Sequence, residues 1–359
     1  MKMVIAGGGT GGHLFPGVAV AEEFLKRESN NRVLFIGTER GLEARILKDL
    51  GFELRLITAE GIKGRGLRSL AAIAKIPRGL IESFGILRDF SPDVVIGVGG
   101  YASGPAVLAA WLMGIPTAIA EQNALPGVTN RILAKFVRRV FVSFEESLRW
   151  MPPGKTVVSG NPIRQGFFGA GSDDSRREGR FTILVFGGSQ GAHRINEAMR
   201  EAMPHLEVMK DHLRFVHQTG EKDFRDVESA YRERGMDAVV HPFIRDMASA
   251  YRAADLLICR AGATSIAEIT ACGKAAVFIP FPFAVNDHQT GNARVLVEAG
   301  AAEMIAERDL DGLRLADVIV RLSADPARLR AMEEKSRSLG NPRAAADIVD
   351  ACIEMTKGK

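Results

Sequence analysis

The same strand and glycine-loop pattern occurs twice in this chain, half its length apart. The stretch MVIAGGGTGGH, which begins at Met3, resembles TILVFGGSQGAH, which begins at Thr182. The matched pairs are Gly8 with Gly187, Gly9 with Gly188, Thr10 with Ser189, and Gly12 with Gly191. In each copy a short apolar run leads into glycines and then into a helical pattern. The repeat therefore predicts two similar α/β domains.

The alternation of short apolar runs with helical segments extends this prediction to the whole chain. Runs such as VLFIG, VVIGV, TAIAE, LLIC and AVFIPF are typical of buried parallel strands. We expect two Rossmann-like, doubly wound parallel-sheet domains, residues 1–162 and 163–341, with a polar linker over 160–180 and a last helix, 342–355, that completes the first domain. Both glycine loops should face an interdomain cleft, because ligands bind beyond the carboxyl ends of such strands.

Composition restricts the class of protein and leaves its partners open. The 359 residues are 46% hydrophobic, and no apolar run reaches the ~18 residues that a spanning helix needs. No signal-peptide pattern opens the chain, which favours a cytoplasmic protein. Three widely spaced cysteines predict reduced core residues. A net charge of +4 is compatible with acidic lipid, phosphorylated metabolites or nucleic acid, although aromatic residues, at 7%, are scarce for single-strand binding.

Glycine loops after strands indicate phosphate ligands. Backbone amides and a helix N-terminus together bind anions, and a third such loop occurs in GVGGYASGPAVLAA, residues 97–110. The spelling G-x-G-x-x-G at Gly7, Gly9 and Gly12 also fits a dinucleotide-dependent dehydrogenase. That class needs an acidic residue at the end of the second strand, where this chain has Gly37 and Thr38. The dehydrogenase interpretation is therefore weakened.

Polar residues at two predicted strand ends of the first domain are candidates for chemistry. His13 lies at the start of a helix, where the dipole favours a neutral ring that could accept a proton. Glu121 ends the strand TAIAE, and Gln122 and Asn123 follow it. A structural histidine and a loop-capping network are equally consistent with these positions.

The second domain offers a complementary set. The loop over 262–265 opens a helix and suits a diphosphate, while Glu268 on the same helix suits two vicinal ribose hydroxyls. Residues suited to a sugar follow a later strand: Asn286, Asp287, His288, Gln289 and Asn292. The motif Asp309-Leu310-Asp311 stands at an apparent helix start, so capping is the favoured role and no essential metal is expected.

Seven motifs in this order resemble the MurG family of membrane-associated N-acetylglucosaminyltransferases, which have the two-domain GT-B fold. They are GGGTGGHLFPG, GGYASGP, EQNALPG, SGNPIR, GGSQGA, RAGATSIAE and DHQTGNA, spread over positions 7–293. The resemblance implies inverting transfer of GlcNAc from UDP-GlcNAc to the muramoyl 4-hydroxyl of lipid I, which forms lipid II for peptidoglycan synthesis. Another GT-B transferase with a different nucleotide sugar or acceptor is the alternative.

The resemblance also implies the site residues. The donor contacts fall on Thr10, Gly11, Gly12, Asn123, Arg164, Ser189, Ile244, Ala263, Thr264, Ser265, Glu268 and Gln289. Among them, Ile244 would meet the uracil, Ser189 a phosphate, Glu268 the ribose and Gln289 the GlcNAc hydroxyls. Inversion needs a base on the acceptor side, for which we expect His13, with Glu121 or Asn123 orienting the acceptor. Phe283-Ala284 departs from the polar residue that is frequent in the family, which leaves the sugar contacts less defined.

A lipid-linked acceptor implies that the first domain meets a membrane. We expect a peripheral location on the cytoplasmic face of the cell inner membrane, and cell-wall synthesis proteins are possible partners. A basic amphipathic segment offers a contact with anionic lipid, although its stripe could equally be core. Its apolar members are Ile73, Ile76, Leu80, Phe84 and Leu87, beside Lys63, Arg65, Arg68, Lys75, Arg78 and Arg88.

Overall fold

The computed structural model describes residues 1–8, 11–38, 47–59, 67–168, 179–188, 191–284 and 287–357, with the side chains of 67–76 and of Gln165 outside the description. The chain divides into two compact units. Unit 1 comprises Met1–Gln165 and Asn341–Lys359, and unit 2 comprises Gly166–Gly340. The last helix, α12 (Ala344–Lys357), is thus part of unit 1.

Unit 1 is built on a parallel sheet of seven described strands in the order β3-β2-β1-β4-β5-β6-β7. These strands are β1 (Lys2–Ala6), β2 (Arg32–Gly37), β3 (Glu53–Leu56), β4 (Val94–Gly97), β5 (Thr117–Glu121), β6 (Arg139–Val142) and β7 (Thr156–Val158). The helices are α1 (Gly11–Arg27), α2 (Leu67–Phe90), α3 (Ser103–Leu112) and α4 (Val128–Leu133), followed by the 3₁₀ segment Glu145–Trp150. Buried apolar clusters cover both faces of the sheet, as a parallel sheet requires.

Unit 2 repeats this architecture with six described parallel strands in the order β10-β9-β8-β11-β12-β13. The strands are β8 (Phe181–Phe186), β9 (Leu213–Gln218), β10 (Asp237–His241), β11 (Leu256–Cys259), β12 (Ala275–Phe278) and β13 (Ala302–Met304). The helices are α5 (His193–Leu206), α6 (Phe224–Glu233), α7 (Met247–Ala253), α8 (Ala263–Cys272), α9 (His288–Glu298), α10 (Gly312–Ser323) and α11 (Pro326–Leu339). Both sheets have the Rossmann order, which confirms the predicted fold class.

Several local predictions can be compared with the structure. Asp311 is the N-cap of α10 and accepts a hydrogen bond from the Arg314 amide at 2.8 Å, so this residue of the D-x-D motif acts as a cap.

The three cysteines are free, and burial raises the pKa of the Cys352 thiol to about 12. The first part of the predicted polar linker is packed, because Phe167 is buried edge-on against Tyr251. Among the described helices, none has the length and apolar content to cross a membrane.

Candidate functional site

The glycine loops after β1 and β4 of unit 1 lie backbone to backbone. The Gly8 amide donates to the Gly99 carbonyl at 3.3 Å. A Cβ at Gly7 would clash with the Gly99 carbonyl, and one at Gly100 would clash with the Gly8 carbonyl. Gly100 also has a φ of +81°, a backbone conformation that residues other than glycine rarely adopt. Glycine is therefore required for the approach of the two loops, whatever ligand they bind.

His13 lies in the first turn of α1, directly over the second of these loops. A Cβ built on Gly99 would lie 2.5 Å from His13 Nδ1, so the missing side chain makes the space for the ring. His13 Nδ1 is 3.0 Å from Oε1 of Gln122, which follows β5. The histidine predicted to act as a base is thus placed by three loops of one sheet, after β1, β4 and β5.

Glu121 organises the loop that follows β5. Only 3% of the residue is exposed, and four donors bind its carboxylate. Oε1 accepts from the Asn123 amide at 3.0 Å and from Asn123 Nδ2 at 3.1 Å. Oε2 accepts from the Gly127 amide at 3.0 Å and from Asn130 Nδ2 at 2.9 Å. These bonds give Glu121 a structural task, and its role in orienting the acceptor stays a prediction.

The other candidates of unit 1 lie on neighbouring segments. Gly11 and Gly12 form the first turn of α1, and the Arg164 guanidinium stacks over the Phe15 ring of the same helix at 4.7 Å. Thr10 lies outside the described residues, as do Ser189 and Asn286 of unit 2. The predicted donor contacts of Gly11, Gly12, Asn123 and Arg164 stay predictions.

The loop after β11 in unit 2 presents a helix N-terminus. Gly262 is the N-cap of α8, with an extended conformation, and Ala263 and Thr264 are buried in the first turn behind it. The first amides of a helix have no partner within the helix and lie at the positive end of its dipole. This end of α8 is therefore suited to an anionic ligand such as a diphosphate.

Glu268 is held by a buried tyrosine that the sequence analysis missed. The Tyr251 hydroxyl donates to Glu268 Oε2 at 3.2 Å, and Tyr251 is fully buried, with edge contacts to Phe167 and Phe186. Burial, and then the negative charge of Glu268, raises the pKa of the Tyr251 hydroxyl well above its ordinary value. Tyr251 consequently stays a donor and fixes one oxygen of the carboxylate.

The predicted sugar set is divided by the structure. Gln289 is partly exposed, and its Oε1 accepts from the Phe281 amide at 2.9 Å. The expectation that Asn292 is too polar for a core was wrong, because this residue is completely buried and its Nδ2 donates to the Ala261 carbonyl at 3.3 Å. A buried amide can be stable when it is bonded in this way. Asn292 therefore ties α9 to the loop before α8.

Gln218, at the end of β9, is a second residue that sequence reasoning missed. Its Nε2 donates to the Gly188 carbonyl at 2.7 Å, and its Oε1 accepts from the Ile244 amide at 3.0 Å. Gln218 thus joins the glycine loop after β8 to Ile244, the residue predicted to contact the uracil. A polar residue that ends a buried strand in LRFVHQTG was the available signal.

A buried hydrogen-bond chain next to Gln218 joins β9 to α5 and α6. His217 bonds Tyr231 and Asn196, and Asn196 donates to Asp223 at 2.7 Å. Burial lowers the pKa of His217 to about 3, so the ring is neutral at physiological pH. These hydrogen-bonded side chains lie inside unit 2, where they stabilise the fold and do not provide a reactive group.

The stripe predicted to face a membrane is core in its described part. Leu87 is fully buried, and Leu80 and Phe84 pack against the same apolar cluster. The side chains of Ile73 and Ile76 lie outside the described residues. The described part of the stripe is the face of α2 that packs against the sheet of unit 1. An exposed set, here called the α3–α4 patch, lies elsewhere in unit 1: Trp111, Leu112, Met113, Val128, Ile132 and Phe136.

The two Rossmann-like sheets, each with a glycine loop after its central strand, define the GT-B class. The N-terminal domain model of glycosyltransferase family 28 matches residues 3–142, and its C-terminal domain model matches residues 182–349. The crystal structure of Acinetobacter baumannii MurG is 33% identical, with a TM-score of 0.79, over 98% of this chain and 99% of that one.

Curated relatives match over the same length. The UDP-N-acetylglucosamine--N-acetylmuramyl-(pentapeptide) pyrophosphoryl-undecaprenol N-acetylglucosamine transferase of Syntrophus aciditrophicus is 61% identical over 99% of each chain. The Myxococcus xanthus protein of the same name is 52% identical over 99% of this chain and 93% of its own length. The chain therefore belongs to glycosyltransferase family 28 and, within it, to the MurG family.

Proposed function

We propose that this chain transfers GlcNAc from UDP-GlcNAc to the 4-hydroxyl of the muramoyl unit of lipid I, with inversion, and so forms lipid II for peptidoglycan synthesis. The observation that carries the proposal is 61% identity over 99% of both chains to a relative named for this transfer. The alternative, a GT-B transferase with another sugar or acceptor, has no observation in its favour.

Unit 2 supplies the features that suit the donor. The N-terminus of α8 and Ser189 would bind the diphosphate, and Glu268 would accept the ribose hydroxyls while Tyr251 holds its second oxygen. Ile244 would meet the uracil, held in place by Gln218, and Gln289 would bind the sugar hydroxyls. Asn123 and Arg164 of unit 1 complete the proposed donor contacts.

The transfer is one in-line displacement at the anomeric carbon. The acceptor oxygen forms the new bond to C1 and loses its proton to His13, while the C1–O bond to UDP breaks and its electron pair leaves with the β-phosphate. Charge therefore develops on the diphosphate, where the positive end of α8 stabilises it. We propose that these groups act without an essential metal.

Release of UDP by the purified protein tests the function. We expect release that depends on a short-chain lipid I analogue and persists in EDTA. Release that is unaffected by the acceptor would contradict the proposed transfer, and release that requires added Mg²⁺ or Mn²⁺ would contradict the proposal that no metal is needed. UDP-glucose and UDP-GalNAc in place of UDP-GlcNAc test the sugar.

We expect Tyr251→Phe to raise the KM for UDP-GlcNAc by about fivefold, the effect of one lost hydrogen bond to a carboxylate, with kcat within about twofold. Steady-state kinetics measure both values. Tyr231→Phe is a matched control, because that buried hydroxyl bonds His217 and not Glu268. An unchanged KM in Tyr251→Phe, or an equal rise in both variants, would contradict the positioning of Glu268.

We also propose that unit 1 meets an anionic membrane through the α3–α4 patch. The rings of Trp111 and Phe136 are 5.0 Å apart, and the basic side chains of Arg131 and Lys135 are exposed on the same segment. Apolar side chains flanked by basic ones suit an interface with acidic headgroups. The patch replaces the α2 stripe as the candidate surface.

Ile132→Glu should weaken binding to vesicles of phosphatidylglycerol and phosphatidylcholine by about tenfold, because one apolar contact is lost and a like charge is introduced. Co-sedimentation measures the bound fraction. Leu313→Glu is the control, since that residue is as exposed, at 56% against 53%, but belongs to unit 2. Equal binding by the two variants would exclude the patch.

A further inference from the structure

Gln122 has a contact with His13 that the proposed transfer leaves unexplained. Its Oε1 is 3.0 Å from His13 Nδ1, and only 2% of the residue is exposed. The neighbouring Glu121 is fully engaged with its own loop, and Asn123 bonds to it. Of these three residues, Gln122 is the one whose described hydrogen bonds include the His13 ring.

The orientation of the Gln122 amide follows from its second partner. Nε2 is 3.2 Å from the Ala120 carbonyl, which can only accept. A flipped amide would set Oε1 against that carbonyl oxygen, and a buried unpaired polar group is unfavourable. Nε2 is therefore on the side of Ala120, and Oε1 is on the side of the histidine.

This orientation decides where the histidine proton lies. An amide oxygen can only accept, so His13 Nδ1 must carry the hydrogen, and the lone pair of the neutral ring is on Nε2. Gly99, beneath the ring, leaves no side chain to compete for Nδ1. The tautomer is thus set by one buried side chain.

We propose that Gln122 is a positioning residue that holds His13 as the Nδ1–H tautomer, so that Nε2 receives the proton of the acceptor hydroxyl. The proposal rests on the proposed role of His13 as the base. During transfer the proton moves from the acceptor oxygen to Nε2, and Nδ1–H keeps its bond to Gln122. A neutral amide orients the ring without the negative charge of a carboxylate, which would favour the protonated ring before reaction.

The tautomer can be measured directly. Long-range ¹H–¹⁵N correlation of ¹⁵N-histidine protein, assigned with the spectrum of His13→Ala, should show a protonated Nδ1 and an unprotonated Nε2 at high pH. In Gln122→Met, which keeps the volume and removes the acceptor, we expect averaged shifts from both tautomers. We expect kcat to fall about tenfold there, with the KM for UDP-GlcNAc within about twofold.

Gln122→Glu provides a second test that does not depend on the folding of Gln122→Met. The added carboxylate favours the protonated ring, so the acid limb of the kcat/KM profile should move to higher pH. Wild-type ring shifts in Gln122→Met, or an unmoved acid limb in Gln122→Glu, would overturn the proposal. A structural role would lower stability without moving either readout.

A double variant separates this proposal from the proposed function. If Gln122 acts through His13, then His13→Ala/Gln122→Met loses no more kcat than His13→Ala. A further tenfold loss would overturn the positioning role. Full activity in His13→Ala would overturn the base and the positioning role together, whereas low activity there with unaltered Gln122 variants would overturn the positioning role alone.

Discussion

His13→Ala is expected to lower kcat for acceptor-dependent UDP release by about 100-fold or more, the usual contribution of a general base. The KM for UDP-GlcNAc should change by less than about threefold, because in the proposed mechanism the ring contacts the acceptor proton. Steady-state kinetics with a soluble lipid I analogue measure both. The activity that remains should vary less steeply with pH on the acid side.

His205→Ala is the matched control for this substitution. His205 is exposed in the last turn of α5 in unit 2, at the opposite end of this helix from the glycine loop after β8, and its removal should leave kcat unchanged. If His13→Ala keeps a kcat within about threefold of the wild-type value, another group takes the proton. The residues described around His13 would then serve the architecture of the loops.

Gly99→Ala is expected to cause the second large loss, although Gly99 contributes no side chain. The new methyl would lie 2.5 Å from His13 Nδ1, and the φ of +92° is unfavourable for alanine. We expect kcat to fall by about 30-fold or more because the ring is displaced, and the protein to lose about 1–2 kcal/mol of stability. Kinetics and thermal unfolding separate the two effects.

Gly114→Ala isolates the backbone part of that change. Gly114 has a φ of +72°, and a Cβ there would meet nothing within 4 Å. Both variants should therefore show a lower melting temperature, and only Gly99→Ala should lose kcat. A loss of kcat in both would mean that loop strain, rather than displacement of the ring, limits the reaction.

The repeat of strand and glycine loop predicted the two Rossmann-like sheets because a strand, its loop and the next helix are encoded locally. The strand pattern also placed His13 and the polar residues Glu121, Gln122 and Asn123 near the carboxyl ends of two predicted strands. It did not show which member of the triplet meets the histidine. Side chains of adjacent strand residues point to opposite faces. The donors to Glu121 on Gly127 and Asn130 lie at the start of α4, and the sequence does not show where that helix packs.

Other residues escaped prediction for physical reasons. Tyr251 lies in a helix, and its contact with Glu268 depends on how α7 packs near α8. Asn292 looked too polar for a core, but the Ala261 carbonyl provides its partner. The α2 stripe was ambiguous because helical periodicity identifies an apolar face and does not identify what covers it. In each case the missing information was a contact between distant parts of the chain.

The helix α12 has a consequence for the order of folding during synthesis. Ile348, Val349 and Cys352 lie in the same buried cluster as Met3 of β1 and Val18 of α1. In the order of synthesis, all of unit 2 separates these two parts of one core. A nascent chain therefore carries an uncovered apolar face on α1 until α12 has been made, so termination before α12 would leave that face exposed.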